Sequence, residues 1–221
     1  MLQVTTEWRK AYPGACVGLL AVNGVVNPEY DERLEARKGE LEERLRAQYR
    51  TREDLLACEA VTAYREYYKR FGKTYPVLLQ MESVAVKGKP FPRTAALVEA
   101  MFMAEVKNGL LTAGHDRELI EAPLILDVAA DGEKFTGIGG REQGTKVGDM
   151  LMRDRAGIVS SVLCGPDDRT RITAATTRAL FVVYVPPNVD RLMVEQHLED
   201  IFANTKLLAP VAKIEYRSIF C

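Results

Sequence analysis

The side chains that could do chemistry are few, and three neighbouring arginines are the most prominent. Arg169, Arg171 and Arg178 lie within ten residues, among several threonines. Guanidinium groups form paired hydrogen bonds with carboxylates and phosphates. This segment therefore predicts either a contact with an anion, such as the phosphates of a nucleic-acid backbone, or salt bridges to the neighbouring Asp167 and Asp168.

Two histidines are available as general bases. His115 precedes Asp116, whose carboxylate could orient the imidazole ring, so we predict His115 as the catalytic base or water-positioning residue. His197 falls inside a predicted helix and is expected to be structural or exposed. Ser160 and Ser161 lie in a strand-like run without a nucleophile motif, so no Ser-His-Asp arrangement is predicted.

The four cysteines, Cys16, Cys58, Cys164 and Cys221, are far apart in the chain. Neither a Cys-x-x-Cys pair nor paired histidines accompany them, so no metal site and no cofactor is predicted. We expect four free thiols in a reducing cytosol.

The sequence shows no signal-peptide pattern and no apolar run of the ~18 residues that a membrane span needs, which predicts a cytoplasmic protein without a membrane partner.

The glycine-rich segment 137–146 superficially resembles a phosphate-binding loop. Such a loop leads from a strand into a helix whose amides face the anion, whereas a strand is predicted to follow here. We therefore predict a wide hairpin. The formal net charge of -1 shows no basic excess over the whole chain, so any contact with RNA needs a local patch or a small footprint.

The first half of the chain reads as helical after one short strand. The predicted elements are a strand at 15–22, a charged helix at 29–50 with a thin leucine seam, a capped helix at 51–71, a short helix at 77–86 and a helix at 93–108 that stops at Gly109. Tyrosines and basic residues alternate at 64–70. They predict either a surface that stacks bases and holds phosphates, or tyrosines that pack inward beneath solvated cations.

The second half reads as strands. Strands are predicted at 124–128, 134–138, 158–163 and 179–185, followed by a helix at 189–204 and a closing strand at 211–216. The fold class is α+β, with N-terminal helices followed by a mostly antiparallel sheet. We predict a strand and charged helix at 1–55, packed on or extending from a module at 56–221.

Several motifs arrive in a characteristic order. They are Tyr64 to Gly72, Lys87-Gly-Lys with Pro92, Leu97-Val-Glu99, Gly132-Glu133-x-Phe135 and Arg169-Thr-x-Ile-Thr173 with Ala179-Leu-Phe181. Together, over roughly residues 60–205, they resemble the editing module (the B3/B4 domain) of the beta subunit of bacterial phenylalanyl-tRNA synthetase, and its stand-alone relatives.

The resemblance implies a pocket that recognises an amino-acid side chain on tRNA and positions water to hydrolyse the ester. At the positions of Phe102, Ala113 and Val182, the family keeps an Asn, a His and a Glu. A valine in place of that Glu removes the acceptor that reads a tyrosine hydroxyl, which favours an apolar ligand. The pocket residues implied in this way are Phe102, Ala113, Asp116, Gly139, Gly140, Glu142, Thr176 and Val182.

The predicted function is therefore that of a tRNA-binding B3/B4 domain protein. It would hydrolyse a mischarged aminoacyl-tRNA in trans, with altered specificity, as a deacylase and not as a ligase. Its predicted partners are tRNA, an aminoacyl-tRNA or a small amino-acid-like ligand. Two alternatives stay open: a non-catalytic ligand-binding module, and a protein-interaction module acting through the charged helix at 29–50.

Overall fold

The computed structural model describes residues 2–221. Its α-helices are α1 Thr6–Ala11, α2 Glu32–Gln48, α3 Arg52–Leu56, α4 Glu59–Arg70, α5 Pro76–Met81, α6 Ala96–Asn108 and α7 Arg191–Leu208. Its strands are β1 Leu2–Val4, β2 Cys16–Asn23, β3 Thr112–Asp116, β4 Leu124–Val128, β5 Lys134–Gly137, β6 Arg141–Gly144, β7 Met150–Asp154, β8 Gly157–Ser161, β9 Gly165–Pro166, β10 Arg178–Val185 and β11 Lys213–Phe220. A π-helical turn, Glu82–Val86, continues α5.

The strands form two main sheets and a separate hairpin. One sheet has the order β11-β2-β10-β3 and is antiparallel throughout. The other has the order β1-β4-β7-β8-β9, in which only the β1–β4 pair is parallel. Strands β5 and β6 form the hairpin that the glycine-rich segment predicts. The predicted α+β class with antiparallel sheets is confirmed, although β2 from the N-terminal part lies inside the first sheet.

The two faces of the four-stranded sheet have different neighbours. Helix α7 covers one face, and Gly18 makes room for it, since a Cβ there would lie 3.0 Å from Val194 Cγ1. The opposite face carries Leu180, Val182 and Tyr184, because alternate residues of a strand share a face. The Tyr184 hydroxyl bonds the Ser160 hydroxyl of β8, so this face lies against the five-stranded sheet.

The charged helix α2 packs on the rest of the molecule through its leucine seam. Asp31 caps its start by accepting hydrogen bonds from the amides of Arg33 and Leu34. Leu34, Leu41 and Leu45 are buried in the same core as the strands of the first sheet. Residues 2–55 thus share one hydrophobic core with the remainder, while the predicted boundary at residue 55 stays a prediction.

The tyrosines of α4 point inward. The Tyr64 hydroxyl donates to the Tyr184 carbonyl, the Tyr68 hydroxyl donates to the Val162 carbonyl at 2.6 Å, and all three tyrosines of the helix are buried. Of the two alternatives for this segment, the structure shows inward-packed tyrosines, and none of these rings is free to stack on a base.

Two expectations are wrong in detail. Cys16 and Cys221 form a disulfide although 205 positions separate them, because β2 and β11 pair and bring their ends together. Cys58 and Cys164 are free thiols, as expected. The predicted helix at 51–71 is divided into α3 and α4 at residues 57–58, and its capping box at Thr51 is present.

Within residues 2–221, no helix combines the length and the apolar character needed to cross a membrane.

One buried ion pair joins α2 to α6. Lys38 and Glu99 are each only 4% exposed, and Lys38 Nζ lies 2.7 Å from Glu99 Oε2. We expect Lys38→Met to lower the free energy of unfolding by roughly 3 to 5 kcal/mol, because it leaves a buried carboxylate without its cation. Urea denaturation measures this loss.

The matched control is Arg37→Met on the same helix, which removes an exposed pair with Glu40 and should cost less than about 1 kcal/mol. The double variant Lys38→Met/Glu99→Leu should recover much of the loss, since it removes both charges. A single variant as stable as the wild type would show that Glu99 does not depend on this cation.

Candidate functional site

A cleft of about 570 Å³ opens between one face of the four-stranded sheet and the β1–β4 edge of the five-stranded sheet. Leu19 and Leu180 line it from the four-stranded sheet, and Leu2 and Leu124 line it from β1 and β4. Ala21, Ile120 and Ala122 complete its apolar walls. Both the volume and the apolar lining are those of a site for a small molecule.

Charged groups stand at the mouth of this cleft. Arg117 Nη1 lies 3.7 Å from Glu215 Oε2, and Arg178 donates to both Glu215 oxygens at 2.9 Å. Glu215 falls where the pairing of β11 with β2 is irregular, between Ile214 and Tyr216. Such an irregularity re-aims a side chain, and here both Glu215 and Tyr216 line the cleft.

His115 lies in strand β3, not in the loop that the resemblance implies, and it is fully buried. Its Nδ1 lies 2.7 Å from Thr170 Oγ1, and the Thr170 hydroxyl in turn donates to Asp167. Burial raises the pKa of Asp167, but whenever this carboxylate is ionised it only accepts. Thr170 then accepts from His115, and the proton sits on Nδ1. The Nε2 lone pair therefore remains free, and Nε2 has no partner among residues 2–221.

The environment of His115 keeps the ring neutral. Burial and, to a smaller extent, the nearby Arg169 lower the pKa of His115 to about 4, although Asp154 acts in the opposite direction. Leu180 lies opposite His115 in the β3–β10 pairing, so the two side chains share a face. Since Leu180 lines the cleft and His115 does not, His115 lies next to the cleft floor, one strand beyond that leucine.

Asp116 does not orient His115, contrary to the prediction. Adjacent strand residues point to opposite faces, and Asp116 accepts instead from the Thr176 hydroxyl at 2.8 Å and the Glu118 amide at 3.0 Å. The structure thus joins two predicted pocket residues, Asp116 and Thr176, to each other and not to the histidine.

The remaining predicted pocket residues are dispersed. Ala113 and Val182 are directly paired and share the His115 face, and Ala113 lines a smaller cleft of about 250 Å³ that also includes Cys164. The others lie elsewhere: Phe102 packs against Phe91, Gly139 and Gly140 form the turn of the β5–β6 hairpin, and Glu142 pairs with Lys134 on its surface. None of these residues lines the 570 Å³ cleft.

Each of the three predicted anion-binding arginines already has a carboxylate partner. Arg169 Nη2 lies 2.8 Å from Asp154, Arg171 Nη1 lies 2.7 Å from Asp168, and Arg178 is paired with Glu215. Of the two alternatives for this segment, an anion contact or salt bridges, the structure shows salt bridges. Only Arg178 stands near the mouth of the cleft, through Glu215.

His197 has a partner on each ring nitrogen. Asn108 Nδ2 lies 3.2 Å from its Nδ1, and Thr112 Oγ1 lies 2.7 Å from its Nε2. The ring is fully buried between α7, α6 and β3, which is a structural placement. Across the described chain, no group of three or more His, Cys, Asp or Glu residues is arranged to hold a metal ion.

The parts of this site that the sequence did not indicate are Thr170 and Asp167 as partners of His115, and Arg117 with Glu215 at the cleft. An antiparallel bridge between His115 and Arg171 brings Thr170 and Asp167 close to the histidine. A spacing pattern carries no signal for contacts of this kind, because they depend on strand pairing across 55 or more residues.

Neither a protein-family model nor a curated protein sequence matches this chain. Its fold is similar to the crystal structure of an N-terminal fragment of the phenylalanyl-tRNA synthetase beta-subunit from Pyrococcus horikoshii, with a TM-score of 0.51 and 13% sequence identity. The alignment covers 100% of this chain and 54% of that fragment, so the chain spans about half its length. The similarity shows a related fold.

The two buried histidines predict a pH dependence of stability. Burial lowers the pKa of both His115 and His197 to about 4. An unfolded histidine titrates near pH 6.5, so the unfolded chain binds more protons between pH 4 and 6.5, and each histidine makes folding less favourable as the pH falls through that window. Between pH 7 and 5, the loss is roughly 2 kcal/mol per histidine.

The measurement is urea denaturation of wild type and His115→Gln at pH 7 and pH 5. Burial raises the pKa of Glu105 to about 8, which opposes the trend, so the difference between the two proteins is the informative quantity. Nitrogen NMR should also show Nδ1-protonated His115 above pH 5. The opposite tautomer, or an unchanged pH dependence in the variant, would contradict the arrangement with Thr170.

Proposed function

We propose that this chain binds the aminoacyl end of a charged tRNA, or a small amino-acid-like ligand, with the apolar side chain in the 570 Å³ cleft. The observation that carries this proposal is the pairing of an apolar cavity with Arg117 and Glu215 at its mouth. An aminoacyl group is complementary to this arrangement, because its apolar side chain lies directly beside a cationic amine. The related fold of a tRNA synthetase beta-subunit fragment supports the choice of tRNA.

The lining predicts a role for each polar residue. Glu215 would hold the ammonium group of the ligand, because a carboxylate accepts charge-assisted hydrogen bonds. Arg117 would face the ester carbonyl oxygen. In the interior, Leu19, Leu124 and Leu180 offer no acceptor for a phenol, so aliphatic or unsubstituted aromatic side chains are favoured over tyrosine.

Glu215→Gln tests the proposed ammonium contact. We expect it to weaken the binding of a non-hydrolysable 3′-leucylamido-adenosine analogue by roughly tenfold to a hundredfold, because a hydrogen bond to a charged group contributes about 1.5–3 kcal/mol. Isothermal titration calorimetry measures the change. The tyrosyl analogue should bind the wild type more weakly than the leucyl analogue.

The control is Glu199→Gln, which removes a comparable surface ion pair with Arg217. It should leave binding unaltered. Equal losses in both variants would point to a general charge effect, and absence of binding by the wild type would refute the assignment of the cleft.

Hydrolysis of the ester is a second candidate activity, favoured by the free Nε2 of His115. In this proposal Nε2 takes a proton from a water molecule that attacks the ester carbonyl. The ring then returns that proton to the terminal ribose oxygen as the acyl–oxygen bond breaks, which releases the free amino acid and the uncharged tRNA. Thr170 and Asp167 hold Nδ1 in both steps. A displacement of Leu180 on ligand binding would be needed to bring His115 into the cleft. The similarity to the synthetase beta-subunit fragment concerns the fold, so it supports this reaction only indirectly.

His115→Gln separates hydrolysis from binding. We expect loss of deacylation of a mischarged leucyl-tRNA or phenylalanyl-tRNA, with analogue affinity preserved within about threefold, because the histidine does not line the cleft. The pKa of about 4 also predicts that deacylation by the wild type does not decline from pH 7 to pH 5 through this group. Full activity of the variant would exclude His115 as the base. If the wild type binds the analogue but does not hydrolyse the ester, the chain is a non-catalytic ligand-binding module.

A further inference from the structure

A second cleft, of about 440 Å³, lies on the helical side of the molecule between α3, α4 and the start of α5. Four cations line it, Arg52, Arg65, Lys69 and Lys73, against one carboxylate, Glu66. We call these residues the α4 groove. It has no lining residue in common with the cleft between the sheets.

The charges in the α4 groove are largely uncompensated. Among residues 2–221, Arg65, Lys69 and Lys73 form no salt bridge, and all three are exposed. Arg52 is the exception, since its Nη1 lies 2.5 Å from Glu82 Oε2. This contrasts with Arg169, Arg171 and Arg178, which all have carboxylate partners.

The spacing of these cations follows the helix. Arg65 and Lys69 are four residues apart on α4, which places them one turn, about 6 Å, apart along the axis. Gly72 has φ of 65° just beyond the helix and turns the chain so that Lys73 also lines the groove. The attraction between a helix C-terminus and a cation accounts for Lys69, but not for Lys73 beyond the helix or Arg65 a turn earlier.

We propose that the α4 groove binds the phosphate backbone of RNA, at a site separate from the aminoacyl cleft. The choice of RNA rests on the proposed function, whereas the groove is defined by its own charges. Because the tyrosines beneath it are buried, the contact is made with phosphates and not by stacking on bases. Binding at this site is therefore independent of sequence and sensitive to salt.

The test is fluorescence anisotropy with an uncharged, 5′-labelled tRNA transcript between 50 and 200 mM salt. The variant is Arg65→Gln/Lys69→Gln/Lys73→Gln. The control, Arg9→Gln/Lys10→Gln/Lys213→Gln, makes the same change of charge at exposed residues of α1 and β11. Circular dichroism verifies that both variants fold.

We expect the groove variant to lose at least about tenfold in affinity at the lowest salt concentration, and the slope of log K against log salt to become shallower by roughly two to three. The control should lose less than about threefold. Equal losses in the two variants, or no binding of the transcript by the wild type, would overturn the assignment.

The two sites can fail separately. Binding of the leucylamido-adenosine analogue by the groove variant at wild-type affinity, together with loss of transcript binding, supports two sites. If the analogue binds the wild type and the transcript does not, the groove assignment fails and the cleft proposal stands. If the transcript binds through the groove and the analogue does not bind, the cleft proposal fails instead.

Discussion

The pairing of β10 with β2 is the constraint on which the rest of the molecule depends. Eight consecutive residues of β10 lie opposite β2, and five of them also lie opposite β3. This register puts Leu180 opposite Ala21 on one side and His115 on the other. It thereby defines one floor for the cleft, one position for the histidine and one face on which helix α7 can pack.

Local patterns predicted the elements whose stability is local. The capping box at Thr51, the stop at Gly109 in a left-handed conformation and the strand Leu124–Val128 appear where expected. The sequence does not indicate the strand at residues 112–116, because Ala113, Gly114 and Asp116 belong to residue types that are depleted in strands. Its place at the sheet edge comes from pairing with β10, and Gly114 leaves room for Ile172, since a Cβ there would lie 2.8 Å from that side chain.

The candidate site shows the same division between local and long-range information. Residue type indicated His115, because a histidine is one of the few side chains suited to accept a proton near neutral pH. Its partner could not be deduced, since Thr170 approaches it across 55 positions and the neighbouring Asp116 points to the other face. The α4 groove could be predicted in part. The sequence shows the alternation of aromatic and basic residues, but only the structure shows that the tyrosines are buried and that the cations alone are exposed.

The disulfide gives the molecule an unusual covalent topology. Cys16 and Cys221 close the intervening chain into a ring, and β1 and α1 form a tail attached to it. A protease that cuts once inside this ring, for example at the exposed hairpin turn of Gly139 and Gly140, releases no fragment. The nicked protein stays one covalent molecule. Because each half keeps strands in both main sheets, strand pairing acts together with the disulfide to hold the halves in place.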